Sequence, residues 1–269
     1  MSALSSVTIA GSALPCHRIC GGNQVREPCI KRDAIITTSW DDGHPLDERL
    51  MDLLSHHGIA ATFYVPTHCD RAVMDAPAVR RLAGAGAEIG GHTTNHCLLT
   101  RLPNATALAE MADNRRHLED QLGTAVSSFC YPCGHFSRRM MTLAQQAGFA
   151  RARTTMGLRT DWWGTHPFAL PGTVQLYPHG RGVHLRHAVK EGNVRGLTAW
   201  LGMGAPRTVG DMVDRALRCI MCSGGVLHLW GHSGELDECG LWPLLDEVLT
   251  RIARKPDVRY LTNAQAYAV

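Results

Sequence analysis

Short apolar runs alternate with longer amphipathic segments along most of the chain. The run AIITTSW (34–40) is apolar and β-branched, which predicts a buried strand, and ATFYVP (61–66) and AEIGG (87–91) predict the next two strands. Between the first two, LDERLMDLLSHHG (46–58) places its leucines on one face and ends at a glycine, which is typical of an amphipathic helix. The pattern therefore predicts an alternation of strands and helices.

The alternation extends to the carboxyl terminus, interrupted by a less regular stretch around residues 156–207. Such an order implies a parallel sheet with right-handed crossovers, and seven or eight units favour a closed or nearly closed barrel over an open sheet. Residues 1–32 are irregular and predict an N-terminal extension. Further helices are predicted over 77–86, 105–123, 138–148, 209–225 and 241–254, and further strands over 127–132, 149–155, 226–230 and 258–262.

The composition indicates a chain that buries a sizeable core. Its 269 residues are 45% hydrophobic and 19% charged, which argues against a disordered or fibrous protein. The net charge is only +3 and no basic block occurs, so nothing favours a nucleic-acid partner. No apolar run approaches the roughly 18 residues that span a bilayer, so no membrane span is expected.

Ten cysteines include two C-x-x-C pairs, Cys130/Cys133 and Cys219/Cys222. The pairs fit a zinc ribbon or redox centres, and they also fit reduced thiols of a cytoplasmic protein, which we favour. The first fifteen residues lack the basic segment of a secretion signal, which agrees with a cytoplasmic location.

Three polar clusters follow predicted strands: Asp41-Asp42-Gly43-His44, the segment from His92 to His96, and the segment from His228 to His232. In parallel α/β folds the carboxyl ends of the strands meet at one rim, where catalytic groups collect. We therefore expect these side chains to lie near one another.

The first two clusters each allow a structural and a chemical interpretation. Asp41 and Asp42 fit a helix N-cap, or a pair whose mutual repulsion is relieved by a cation or a shared proton. His92 and His96, four residues apart, would share one face of a helical turn, either as a solvated pair or as metal ligands. Two imidazoles and one carboxylate form a common set for catalytic Zn²⁺ or Fe²⁺.

The segments TTSWDDG, HTTNH, FCYPCG and LHLWGHS resemble, in order and spacing, the motifs of the polysaccharide deacetylases, which are nodulation-factor-deacetylase-like carbohydrate esterases. The resemblance covers about residues 33–235. It implies a single-domain distorted (β/α) barrel of about seven parallel strands over residues 33–269. It also implies a divalent metal, usually zinc with Co²⁺, Fe²⁺ or Ni²⁺ as alternatives, and removal of acetyl groups from N-acetylated sugars.

The resemblance also implies a role for individual residues. Asp41 corresponds to the catalytic base, and Asp42 corresponds to a metal ligand alongside His92 and His96. His232 corresponds to the general acid, and His228 is the alternative because this segment departs from the usual L-x-H pattern. A backbone N–H near Tyr131 would bind the oxyanion.

Two departures from the family pattern concern residues beside the base and at the rim. The third motif of the family begins with an arginine that contacts the base, but Cys130 stands there, and Arg153 is the candidate replacement. The fourth, acidic-tryptophan motif is loosely matched by Asp161-Trp162-Trp163, and Trp163 is a candidate for sugar stacking.

Three functions fit the sequence. The first is a metal-dependent N-deacetylase whose partner is an N-acetylated oligosaccharide or sugar-containing intermediate. The second is a related C–N hydrolase of a non-sugar amide, such as a cyclic ureide or a formamide. The third is a catalytically silent sugar-binding barrel, against which the intact set of Asp41, Asp42, His92 and His96 argues. The sequence does not define the oligomeric state.

Overall fold

A computed structural model describes residues 32–190 and 192–269 of the chain. The predicted extension over residues 1–32 therefore lies, except for its last residue, outside the described part. The described residues form eight strands: Ala34–Trp40 (β1), Ala61–Val65 (β2), Glu88–Gly91 (β3), Ser128–Cys130 (β4), Arg151–Arg153 (β5), Val174–Gln175 (β6), Gly225–Gly231 (β7) and Val258–Tyr260 (β8).

Helices follow or connect these strands, and six of the ten in the described residues lie where the hydrophobic pattern predicts a helix. They are Asp47–His57 (α1), Ala76–Gly84 (α2), Asn104–Leu122 (α3), Arg138–Gln146 (α4), Arg181–Lys190 (α5), Val194–Gly202 (α6), Val209–Ser223 (α7), Ser233–Glu238 (α8), Trp242–Ile252 (α9) and Asn263–Tyr267 (α10). Short 3₁₀ helices occupy Leu99–Arg101, Pro132–Gly134 and Pro167–Ala169. No helix in the described ranges has the length and apolar character needed to cross a bilayer.

All strand pairs are parallel, and the strand order is β5-β4-β3-β2-β1-β7-β6. The last strand, β8, pairs with the first half of β1 at Ala34–Ile36, while β2 pairs with the second half at Thr38–Trp40. Strand β1 thus lies at the centre of the sheet, and all seven of its residues are buried.

The segment 170–175 connects the two edges of this sheet. Leu170 bridges to Arg153 on β5, and Val174 and Gln175 pair with β7. The sheet therefore curls into a distorted barrel, which confirms the predicted (β/α) barrel. The strand count exceeds the expected seven by one, since β6 is only two residues long and lies in the stretch that looked irregular in sequence.

Side chains of alternate residues on each strand point into the barrel. On β1 the inward series runs from Ile35 through Ser39 to Asp41, and on β7 it runs from Val226 through His228 to His232. The hydrogen bond between Ser39 Oγ and His228 Nε2 (2.9 Å) joins the two series. Residues two apart therefore lie at successive depths, with Asp41 and His232 at the carboxyl-terminal rim.

Candidate active site

The first strand ends in a tight turn that separates two adjacent carboxylates. Asp41 still belongs to the sheet, since its backbone N–H donates to the carbonyl of Gly231 (3.0 Å). Asp42 and Gly43 have left-handed backbone conformations, with φ of 76° and 59°. A Cβ on Gly43 would lie 2.8 Å from Val65 Cγ1, so only glycine fits this turn without displacement. The turn points the two aspartates in different directions.

Neither aspartate caps the following helix. Helix α1 begins at Asp47 with Leu46 in the N-cap position, and no side chain caps it. The N-cap interpretation of the aspartate pair is therefore wrong, and both carboxylates are available for chemistry at the rim.

The H-x-x-x-H segment is a loop after β3, not the helical turn that the spacing predicted. Thr93 and His96 have positive φ values of 69° and 48°, which fold the loop back on itself. Asn114 on α3 fixes its start, because Asn114 Oδ1 accepts from the backbone N–H of His92 (2.8 Å). The two imidazoles still come together, with ring centroids 5.0 Å apart.

Asp42, His92 and His96 converge on one point. Asp42 Oδ1 lies 3.5 Å from His92 Nε2 and 3.1 Å from His96 Nε2, and the three ligand atoms all lie within 4.8 Å of one another. His92 Nδ1 lies 2.8 Å from the carbonyl oxygen of Cys130, which can only accept, so Nδ1 holds a proton and Nε2, on the side of Asp42, is the nitrogen that a metal would take. Two imidazole nitrogens and one carboxylate oxygen are suitable ligands for a divalent transition metal.

The charge of Asp42 suits the same role. Burial raises the pKa of this carboxyl, but hydrogen bonds with His92 and His96 outweigh burial and hold the pKa well below its usual value. The group is ionised throughout the physiological range, as a metal ligand must be.

Arg153 forms an ion pair with Asp41 in the barrel interior. Their side chains are 0% and 5% exposed. The guanidinium lies 4.9 Å from the ring of Trp230 and 5.5 Å from that of Tyr64. Burial raises the pKa of Asp41, but Arg153, with His92 and His232, lowers it below its usual value. The thiol of Cys130, at the position where the resemblance led us to expect an arginine, lies 3.7 Å from Asp41 Oδ2. Arg153 therefore supplies the positive charge beside Asp41 that the uncharged thiol of Cys130 does not.

His232 lies at the rim between two carboxylates. Its Nδ1 is 3.3 Å from Glu235 Oε2, and its Nε2 is 4.0 Å from Asp41 Oδ2. Burial lowers the pKa of His232, but Glu235, Asp41 and Asp42 together raise it above its usual 6.5. Its ring therefore keeps a proton to higher pH than a free imidazole does, and its Nε2 faces Asp41.

His228 lies deeper in the barrel, as its position four residues earlier on the same inward series requires. It is fully buried against Ser39 and the ring of Trp162, whose centroid is 5.5 Å away. Burial and the nearby Arg153 hold its pKa well below the usual 6.5. A neutral histidine in this position does not reach the rim.

One cavity of about 670 Å³ opens over these residues. Its volume lies in the range of small-molecule sites. Its floor holds the two aspartates and the histidines of the site, while β6, α5 and the Asn193 turn contribute a second wall. The lining includes Asp41, Asp42, His92, His96, Tyr131, Phe136, Gln175, His179, His187, Asn193, Trp230 and His232.

Tyr131 lies at the cavity, but its polar groups are engaged elsewhere. Its hydroxyl donates to the carbonyl of Phe168 (3.1 Å), and its backbone N–H donates to the carbonyl of Arg153 (3.4 Å). An oxyanion would have to displace the second of these bonds, which is long and therefore weak.

Trp163 does not lie at the cavity. It packs with Ile35, Trp162 and Val226 near the amino ends of β1 and β7, and Arg32 lies 5.4 Å from its ring. The expectation that Trp163 contacts substrate at the rim is thus corrected. The aromatic residue of this kind at the site is Trp230, on the inward series of β7.

The cysteines play a smaller part than the C-x-x-C pairs suggest. Cys130 and Cys133 hold free thiols. Among the described residues two groups have metal-binding geometry, Asp42-His92-His96 and Asp41-His92-Cys130, and neither includes Cys219 or Cys222, which lie in α7. Burial raises the pKa of the Cys130 thiol well above its usual value, which disfavours the thiolate that a metal requires.

Two acidic residues near the site were missed by sequence reasoning. Glu235 contacts His232 from the first turn of α8, and the spacing of three residues was the available signal. Asp47 is fully buried at the start of α1, where burial and the charges of Asp42 and Asp41 raise its pKa well above the usual value. In the sequence, Asp47 resembles an ordinary acidic residue in the first turn of a helix.

Comparison with protein families matches residues 30–152 to the polysaccharide deacetylase family. The matched region contains Asp41, Asp42, His92 and His96. It ends one residue before Arg153, and His232 lies well beyond it. The positions of these last two residues are thus established by the structure alone.

Two curated relatives share part of the chain. Chitin deacetylase 1 of Cryptococcus neoformans var. grubii is 29% identical over 135 residues, and the Bacillus subtilis protein YlxY, which is uncharacterized, is 23% identical over 153 residues. These alignments cover 46% and 57% of this chain, respectively. The chain spans only 28% of the first relative and 46% of the second.

Solved structures share the fold over most of both chains. The chitin deacetylase of Colletotrichum lindemuthianum has a TM-score of 0.55 at 15% identity, and 87% of each chain is covered. The Xyl-CE4 domain of a xylanase from the hindgut metagenome of Trinervitermes trinervoides has a TM-score of 0.53 at 13% identity, covering 88% of this chain and 91% of that one. Residues 30–152 are therefore similar to the polysaccharide deacetylase family, and the solved structures show the fold that the chain shares with them.

Proposed function

We propose that the protein is a metal-dependent hydrolase that removes an N-acetyl group from an N-acetylated amino sugar. The convergence of Asp42, His92 and His96 beside Asp41 and His232, on the floor of one cavity, carries this proposal. The match of residues 30–152 to the polysaccharide deacetylase family and the partial similarity to a chitin deacetylase support the choice of reaction.

Asp42, His92 and His96 would hold the metal, and zinc suits two imidazoles and a carboxylate best. When bound, a divalent ion lowers the pKa of a coordinated water and polarises the substrate carbonyl. The hydrogen bond from His92 Nδ1 to the carbonyl of Cys130 keeps one ligand nitrogen oriented toward that position.

Asp41 is proposed as the general base. Its Oδ2 is engaged by Arg153, whereas no described residue gives its buried Oδ1 a hydrogen-bond partner. Oδ1 can therefore accept the proton of the attacking water. Arg153 keeps the carboxylate ionised and fixes its orientation.

His232 is proposed as the general acid. Its raised pKa extends the range in which the ring is protonated to higher pH, and Glu235 orients the ring through Nδ1. Nε2 then faces Asp41 and the cavity, where it would donate a proton to the departing amine. Without this proton an amine is a poor leaving group.

Release of acetate and free amine from a panel of N-acetylated sugars and non-sugar amides tests the proposal. We expect stoichiometric acetate and amine from at least one N-acetylated sugar, with both products lost after chelation and restored by Zn²⁺. Turnover restricted to non-sugar amides would contradict the sugar assignment. Sugar binding without any turnover would contradict the enzyme assignment.

A further inference from the structure

Helices α5 and α6 expose aliphatic side chains to solvent. Leu185 and Val189 on α5 are 47% and 67% exposed, and Val194 and Leu201 on α6 are 68% and 57% exposed. Spacings of four and seven residues place each pair on one face of its helix. We refer to these four residues, with Arg186 and Arg195, as the α5–α6 surface.

The charge of this segment differs from that of the rest of the chain. Residues 181–207 contain five basic residues and one acidic residue, a net formal charge of +4, which leaves −1 for the remainder of the chain. Arg186 and Arg195 are exposed and follow Leu185 and Val194 directly in sequence, and Arg195 also forms an exposed ion pair with Asp161 (3.9 Å). A helix pair with exposed aliphatic and basic side chains has the composition of an interfacial membrane-binding element.

The α5–α6 surface adjoins the wall of the cavity. Helix α5 supplies His187 and Ala188 to the cavity lining, and Leu185 and Val189 of the same helix face solvent. Asn193, between the helices, donates from Nδ2 to the carbonyl of Gly157 (2.8 Å), which ties the pair to the loop after β5. Whatever binds the surface is therefore held close to the cavity.

We propose that the α5–α6 surface docks on an anionic lipid surface. The aliphatic side chains would enter the boundary between headgroups and acyl chains, while the arginines contact lipid phosphates. A second copy of the chain is disfavoured as the occupant, because a two-fold contact would place +4 against +4. Docking on lipid does not depend on the deacetylase reaction, whereas the ligand class named next rests on the proposed function.

Docking of this kind would present the cavity to molecules held at the lipid surface. A ligand with a polar N-acylated head and a lipid anchor would then reach the site without leaving the membrane. The chemistry of the partner is thus an anionic bilayer, with lipid-anchored sugars as the ligand class that benefits.

Vesicle co-sedimentation of the full chain tests the proposal directly. We expect binding to mixed phosphatidylcholine–phosphatidylglycerol vesicles, much weaker binding to phosphatidylcholine alone, and a loss of binding as salt rises. Each basic residue near an anionic surface contributes about fivefold to binding, so R186E/R195E should weaken the partition by at least about tenfold. L185S/V189S should do the same, whereas M221S, at another exposed apolar side chain on α7, should not.

Circular dichroism establishes whether each variant is folded. If a double variant is not folded, the single variant R186E is used in its place. Absence of binding to mixed vesicles, or equal binding by wild type and both double variants, would overturn the proposal. Sedimentation velocity gives a further outcome. A dimer of the wild type that L185S/V189S converts to a monomer, without vesicle binding, would assign the surface to a second copy and overturn lipid docking.

Discussion

Arg153 on β5 and Asp41 after β1 form a buried ion pair across 112 positions of sequence. Breaking such a pair leaves one charge uncompensated in the interior, which costs about 3–5 kcal/mol. We expect Arg153→Met to lower the free energy of unfolding by about this amount, measured by urea denaturation. Arg153→Met combined with Asp41→Asn should recover part of the loss, because neither charge then remains buried.

Arg81 and Glu48 provide the matched control for this ion pair. They form a pair at 2.6 Å whose side chains are 59% and 41% exposed. Arg81→Met should leave the free energy of unfolding nearly unchanged. An equally small effect of Arg153→Met would show that the buried pair is not formed in solution.

Glu235 is expected to set the basic limb of the pH–rate profile. A general acid is active while protonated, so the rate falls as pH rises through the pKa of His232. This pKa lies above the usual 6.5, partly through Glu235. Glu235→Gln should move the limb to lower pH, and His232→Ala should remove it. Glu238→Gln, a change on the same helix at a residue that pairs with Arg71, is the control. A basic limb that moves in Glu238→Gln and not in Glu235→Gln would refute the assignment.

His228 is expected to affect stability at low pH and not the basic limb. Its folded-state pKa lies well below the usual 6.5, so the unfolded chain binds a proton that the folded chain excludes. This contribution therefore destabilises the fold as pH falls below about 6.5. His228→Asn should flatten the dependence of unfolding free energy on pH in this range while the basic limb remains. Loss of the limb in this variant would transfer the general-acid role to His228.

The thiol of Cys130 should remain outside the metal shell. Its high pKa favours the uncharged thiol over the thiolate. Asp42 offers an ionised oxygen beside His92, the histidine that both candidate ligand groups share. The Co²⁺ form should therefore lack the intense near-ultraviolet absorption of cobalt–thiolate bonds, and Cys130→Ser should leave its visible spectrum unchanged. The Cys219→Ser/Cys222→Ser variant provides the distant control. Strong thiolate absorption that Cys130→Ser abolishes would place sulfur on the metal.

Much of the fold could be predicted from periodicity, because buried strands such as β1 and amphipathic helices such as α1 are locally determined. The region around α5 and α6 could not, since its exposed aliphatic residues do not follow the pattern of a helix packed on a core. The sequence also placed His92 and His96 together, but by a helical turn. The actual loop depends on positive φ values at Thr93 and His96 and on a hydrogen bond that the backbone N–H of His92 donates to Asn114, which spacing does not reveal.

The positions of residues in the barrel, and not the sequence alone, decide which of several similar residues lie at the site. The resemblance favoured His232 over His228 as the general acid, and the physical difference between them is their depth on the inward side of β7. Arg153 was only a candidate from the sequence, and its contact with Asp41 depends on where β5 lies in the barrel. Trp163 was misplaced for the same reason, because a tryptophan in an irregular stretch carries no signal of which end of the barrel it covers.

The central claim is that two adjacent aspartates have different roles, with Asp42 binding the metal and Asp41 acting as the base. Elemental analysis of purified, Zn²⁺-loaded variants tests it most directly. We predict about one zinc per chain in the wild type and in Asp41→Asn, although Asp41→Asn should lose roughly 10²–10⁴-fold in turnover. Asp42→Asn and His96→Ala should lose most of the zinc. Zinc retained by Asp42→Asn and lost from Asp41→Asn would contradict the account.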